Sequence, residues 1–219
     1  LNKYAKEGNK ATVFLSHSIN QPVDFRRAFK KTKDVVDKEE INKIISQELR
    51  NPLSWEQKVS FVDRVIQGKG YNVSVDETPT LTTLEKIFIS LAEAGDRNII
   101  LIAGSDRIEE FNGFVERYNA AQPVDLHVRV EIVSAGKRDP DADDVSGISA
   151  TMLRYLALAE DFDAFQQGID GDRDLAWDIY NAVQEGLTIP DEFKTGRPSK
   201  VEEEDTSLRD YLWDYILHG

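Results

Sequence analysis

The chain has 219 residues, with 27 Lys and Arg against 40 Asp and Glu, a formal net charge of −13 and no cysteine. This length fits one α/β domain with added elements. The missing thiols exclude disulfides, thiolate zinc sites and a cysteine nucleophile, and the negative balance argues against nucleic-acid binding by the surface as a whole. No apolar run approaches the ~20 residues that a membrane-crossing helix needs, so no membrane partner is expected.

Leu1-Asn2-Lys3-Tyr4-Ala5-Lys6-Glu7 reads as the end of a helix stopped at Gly8 or Asn9, and a preceding segment is therefore expected. Ala11 to His17 is a short apolar run consistent with a buried parallel strand. His17 then falls at the strand's C-terminal end, where open α/β sheets bind ligands; the plainer reading is a histidine hydrogen-bonded at a strand end. Residues 19–50 carry a basic cluster, Arg26, Arg27, Lys30, Lys31 and Lys33, followed by the capping pattern Asp37-Lys38-Glu39-Glu40 and an apolar stripe at Ile41, Ile44, Ile45 and Leu49. The cluster reads as a solvated face; if nucleic acid binds anywhere, it binds between Arg26 and Lys33.

Asn51-Pro52-Leu53-Ser54 precedes a helix whose inner face is Trp55, Val59, Val62 and Ile66, with Ser54 and Gln57 as capping box and Gly68 as its stop. Tyr71 to Val75 reads as a strand, and Thr78-Pro79 as the start of a helix bearing Leu81, Leu84, Phe88 and Leu91. Asn98 to Ala103 is the clearest buried strand; it ends at Gly104-Ser105-Asp106-Arg107, where glycine admits a ligand close to the backbone and Ser105 or Asp106 caps the next helix. Leu126, Val128, Val130 and Ile132 alternate with polar residues as in a half-buried strand near a sheet edge.

The loop Ser134 to Asp141 offers Lys137 and Arg138 as cations that could neutralise phosphates. Its aspartates do not make a calcium loop, because Asp144 stands where glycine is needed and Ala150 where glutamate is needed. Gly147-Ile148-Ser149-Ala150-Thr151-Met152-Leu153-Arg154 then enters a helix N-terminus, whose free N–H groups and partial positive charge suit a phosphate. Ser149 and Thr151 add hydroxyls and Arg154 a planar guanidinium; the plainer alternative is an N-cap serine with a surface arginine. Further on, Leu175, Ile179 and Val183 mark a helix stopped at Gly186, residues 190–205 read as a polar linker, and Leu208, Tyr211, Leu212, Tyr215 and Ile216 form a final amphipathic stripe that needs cover.

Ile148-Ser149-Ala150-Thr151-Met152-Leu153-Arg154 resembles the I-S-x-T-x-x-R signature of the nucleotidylyltransferase superfamily, especially its phage-encoded adenylyltransferase-like members. Phe14 to Ser18, Asn51 to Ser54, Ile102 to Arg107 and Ser134 to Asp141 fit the same family in the right order. The resemblance implies a Rossmann-like, doubly wound, mostly parallel α/β sheet over residues 1–169, with a helical insertion at 19–50 and a helical C-terminal extension over 170–219. It implies transfer of a nucleotide, AMP from ATP by preference, to a phosphorylated acceptor such as nicotinamide mononucleotide, with Mg²⁺ accompanying the triphosphate.

In that scheme Arg154 and Lys137 act in catalysis, and Ser149, Thr151, Arg154, Gly104, Ser105, Asp106 and His17 hold the nucleotide, with no protein-held metal. A cytoplasmic location follows, the host's cytoplasm for a phage-encoded chain. The family's H-x-G-H motif is absent from the sequence. The alternative is therefore a catalytically incomplete scaffold or virion component, pairing with itself or another protein through the last helix.

Overall fold

The computed structural model describes residues 2–104, 107–135, 148–169 and 171–194. Their order is α1 (Asn2–Lys6), β1 (Thr12–Val13), α2 (Pro22–Thr32), α3 (Lys38–Glu48), α4 (Trp55–Lys69), β2 (Ser74–Val75), α5 (Leu84–Glu93), β3 (Asn98–Ala103), α6 (Ile108–Ala121), β4 (Arg129–Ser134), α7 (Ala150–Leu158), α8 (Phe162–Gln167), α9 (Arg173–Leu187) and α10 (Asp191–Lys194). None of these helices is long and apolar enough to cross a membrane.

The architecture is mixed α/β. Among the described residues the strands form two separate parallel pairs, β1 with β2 and β3 with β4, rather than one continuous sheet. β3 and β4 pair from Asn98↔Arg129 to Ala103↔Ser134, while β1 and β2 share only Thr12↔Ser74 and Val13↔Val75. The strand expected over Ala11 to His17 is thus two residues long, and that over Tyr71 to Val75 is also two. β3 lies where expected but is only half-buried, with Ile100 36% exposed.

Local capping chemistry sets most helix starts. Ser54 and Gln57 close a reciprocal capping box on α4, Asp37 accepts from the Glu39 and Glu40 amides, and Ser149 Oγ accepts from the Met152 amide. Other boundaries differ from expectation. α4 runs through Gly68 and ends at Gly70, which adopts the left-handed φ of 61° that a helix stop of this kind requires. α5 begins at Leu84 behind a Thr83 cap rather than at Pro79.

α9 continues through Gly186, whose role is close approach. A Cβ there would stand 1.9 Å from the Pro52 carbonyl oxygen. At the same contact Asn20 donates from Nδ2 to the Gly186 carbonyl and accepts from the Asn51 amide at Oδ1, at 3.2 and 2.9 Å.

Among the described residues two apolar cores result. Phe88, Ala92, Tyr118 and Val128 join α5 and α6 to the β3–β4 pair. A second, helical core gathers Ala28, Leu49, Ala157, Phe165, Tyr180, Val183 and Leu187, so the segment 19–50 and the helices after residue 170 share one interior with α7 and α8. The stripe proposed for 208–216 and the linker beyond 194 lie outside the described residues.

Gly186→Ala is expected to lower the unfolding free energy by about 3 kcal/mol or more, because backbone on backbone has no side-chain rotamer to relieve it. Gly68→Ala, with nothing within 4 Å of its Cβ, should be neutral to stabilising by up to about 1 kcal/mol. Chemical denaturation of the two variants checks the contrast, and equal effects would contradict it.

Candidate functional site

α7 starts at Ala150 because Ser149, in an extended conformation, turns its hydroxyl back onto the Met152 amide at 2.8 Å. The Leu153 amide bonds the Ser149 carbonyl, also at 2.8 Å. The amides of Ala150 and Thr151 sit at the first turn, where a helix has no internal acceptor for them. A cleft of about 710 Å³ lies between α7 and α3, to which Ser149, Thr151, Lys43 and Glu40 contribute walls.

Arg154 does not extend into solvent. It is 9% exposed, and its guanidinium is used within the chain. Nε donates to the Ser46 carbonyl at 2.7 Å, Nη1 to the Arg50 carbonyl at 3.4 Å and Nη2 to Thr151 Oγ1 at 3.0 Å. Those carbonyls belong to the last turn of α3 and the residues just after it, which have no helical donor of their own, and a cation is favoured at that negative end of the helix dipole. Burial lowers the Arg154 pKa, and the neighbouring Arg50 charge lowers it further.

The buried face of α3 follows from the same contact. Ser46 and Asn42 are its most enclosed residues, at 1% and 7% exposure, while Ile41, Ile44 and Ile45 of the expected apolar stripe are only partly covered. A guanidinium arriving at the C-terminal carbonyls needs small or polar neighbours there, which isoleucines would not supply.

His17 lies elsewhere. Its ring stacks on Trp55 at 4.6 Å between centroids and 15° between planes. Lys58 Nζ ties the same loop by donating to the Ser16 and Ser18 carbonyls at 3.0 and 2.6 Å, and burial lowers the Lys58 pKa. Trp55 and Lys58 were not singled out from sequence as partners of His17; their place on the first turn of a helix after Asn51-Pro52 was the available signal.

Gly104 is exposed at the end of β3 and accepts from the Arg107 amide at 3.0 Å. Neither Gly104 nor His17 lines the cleft at α7, whose walls come from α3 and α7 and the residues that cap them. Ser105, Asp106, Lys137 and Arg138 lie outside the described residues. Among the described residues no group of three or more His, Cys, Asp or Glu side chains is placed to hold a metal ion.

The basic cluster of α2 is largely matched by acids. Glu48 accepts from Arg27 Nε and from Lys31 Nζ, the latter at 2.6 Å, and Arg27 also reaches Asp24 at 2.8 Å. Arg26 lies over the Phe193 ring at 5.7 Å. The hydrogen bond from Lys31, with Arg27 assisting against the opposing effect of burial, holds the Glu48 carboxyl below its ordinary range. A depressed carboxylate pKa stabilises the fold above the unfolded value, and the contribution disappears as pH falls through the folded one.

Glu48→Gln should therefore unfold at lower denaturant than the parent at pH 7, with the gap closing below about pH 4. A gap that is constant with pH would contradict the pairing. Arg154→Ala should cost about 3 kcal/mol without any ligand, since it leaves two carbonyls unmet and removes charge-assisted hydrogen bonds. A loss under about 0.5 kcal/mol in urea titration would show that these bonds do not hold the helices together.

No protein-family model matches the chain, no curated protein matches it, and no solved structure matches it.

Proposed function

We propose that the chain is nucleotidylyltransferase-like and that the cleft at the start of α7 receives the polyphosphate of a nucleoside triphosphate, with ATP preferred. The observation that carries this reading is the cleft of about 710 Å³ lined by Ser149, the N-cap of α7, and by Thr151 of its first turn. Helix N-termini favour anions through their exposed N–H groups and dipole. Ser149 is partly committed as the cap, so Thr151, the Ala150 and Thr151 amides and Lys43 are the natural phosphate contacts. Arg154 works from beneath: its Nη2 holds the Thr151 hydroxyl, and its charge adds to the positive end of the helix.

Glu39 and Glu40 stand on the facing wall. Phosphates and carboxylates across one cleft repel unless a divalent cation lies between them, which agrees with an Mg²⁺ that arrives on the triphosphate rather than in a protein cage. In the reaction an acceptor phosphate oxygen, such as that of nicotinamide mononucleotide, bonds to the α-phosphorus as the bond to the bridging oxygen breaks and pyrophosphate leaves. The chain would contribute positioning and charge neutralisation, with Gly104, Ser105 and Asp106 bordering the base and Lys137 joining from its loop. In fold terms the two parallel pairs are read as the two halves of one Rossmann-like, doubly wound sheet.

A second reading, a nucleotidylyltransferase-like scaffold that binds no nucleotide, is favoured by one feature. The Arg154 guanidinium bonds the Ser46 and Arg50 carbonyls, which is the role of a structural arginine.

Thermal unfolding with ATP and Mg²⁺ separates the two. At about 100 times its Kd a ligand stabilises by about 2.7 kcal/mol. That shift should appear with ATP, vanish in Thr151→Val and be accompanied by pyrophosphate release when an acceptor monophosphate is added. No shift with any nucleoside triphosphate would overturn the reading and leave the scaffold.

A further inference from the structure

α2 buries one side and leaves another open. Phe25, Ala28 and Phe29 belong to the helical core. Val23, Arg26, Lys30 and the C-cap Lys33 follow one another at spacings of three and four, so they share a second side. Val23 is 61% exposed, Ile19 just before the helix is 43% exposed, and Lys30 and Lys33 are exposed as well.

The lysines on this side are poorly matched within the described structure. Asp24 and Glu48 engage Arg27, and Glu48 engages Lys31. Among the described residues Lys33 reaches only its neighbour Asp34, at 3.8 Å, and Lys30 reaches no acid.

α10 brings the chain to this same side. The Phe193 ring stacks on Phe25 at 5.5 Å between centroids, and the Arg26 guanidinium lies over Phe193 at 5.7 Å. Lys194 is the next residue, so residues 195–219 set out beside α2. Residues 195–201 can span more than about 20 Å, whereas Lys33 stands only about 10 Å along the helix axis from Arg26.

The order of chemistry along that segment matches the order along α2. Glu202-Glu203-Glu204-Asp205 comes first, and the stripe Leu208, Tyr211, Leu212, Tyr215 and Ile216 follows. Read backwards, α2 offers Lys33 and Lys30 first, then Val23 and Ile19. An antiparallel approach therefore sets carboxylates on ammonium groups and apolar side chains on apolar ones. A parallel approach would bring the carboxylates to Val23 and Asp24 and leave the lysines facing the stripe. An amphipathic stripe needs cover, and charge complementarity selects the register in which it is covered.

We propose that residues 202–216 of this chain dock antiparallel on the open side of α2, with the acidic run over Lys30 and Lys33 and the apolar stripe over Val23 and Ile19. The docked segment occupies the basic side that a polyanion would otherwise meet, so the chain masks its own α2 cations. The inference uses neither the nucleotide cleft nor the sheets, and its test contains no nucleotide.

The sequence has no cysteine, so an introduced pair reports one contact. Val23→Cys with Leu212→Cys is made in the 219-residue chain. Val36→Cys with Leu212→Cys is the control, since Val36 is 96% exposed and follows the same helix. Under one oxidant the Val23 pair should close within a single chain about tenfold faster than the control, because docking raises the effective concentration of the two thiols.

Lys30→Glu with Lys33→Glu should slow the Val23 pair by about fivefold, the size expected of two exposed ion pairs. Adding Glu203→Lys and Glu204→Lys should restore it. In the unsubstituted monomer, a carbodiimide cross-link should join Lys30 or Lys33 to the 202–205 run by mass spectrometry, which keeps the test valid if a thiol variant fails to fold. Three outcomes overturn the proposal. They are equal rates for the two pairs, a Val23 rate unmoved by the lysine reversals, and disulfides that form only between two chains and so report a second copy.

Discussion

The contact on which the rest of the site depends is the one between the Arg154 guanidinium and the end of α3. A helix C-terminus leaves carbonyls without donors, and an unmet carbonyl in an interior costs about 1–3 kcal/mol. Arg154 answers the Ser46 and Arg50 carbonyls with one planar group and reaches Thr151 with another nitrogen. This sets α7 against α3, and so sets the distance between the Ser149 hydroxyl on one wall of the cleft and Glu39 and Glu40 on the other. A charge this enclosed is tolerated because every bond it makes is to an oxygen.

The same requirement organises the helical half of the molecule. Ala28 and Ala157, both fully buried, let α2 and α7 approach the common core, and Leu49 fills the space just beyond the end of α3. α9 is drawn in by Tyr180, Val183 and Leu187 and by the contact of Gly186 with Pro52. The Asn51-Pro52 turn is therefore gripped from two sides, by Asn20 and by α9. It is a fixed point between the helical core and α4, whose first turn carries the Trp55 and Lys58 contacts to the Ser16–Ser18 loop.

The candidate cleft mixes signs. Lys43 places a positive charge on its wall, and Glu39 and Glu40 of α3 place negative ones. In the proposed reading this mixture favours an anion that brings its own cation over a bare phosphate. The basic residues of α2 do not relieve that balance, since Glu48 engages Arg27 and Lys31.

What could be read directly from the sequence is what depends on contacts a few residues long. The caps at Asp37, Ser54 and Ser149 are each legible, because the capping oxygen and the amide it receives lie within three residues of each other. The stop at Gly8 and the strand from Asn98 to Ala103 are legible for similar reasons. Long-range geometry was not. Arg154 could be placed on a helix, but its bond to Ser46 spans 108 positions, and no local pattern distinguishes an arginine facing a ligand from one facing a carbonyl. Gly186 reads as a helix stop until Pro52 is found against it. The strands could be named singly, yet their gathering into two pairs depends on which edges meet, and backbone hydrogen bonding carries almost no side-chain signature of its partner.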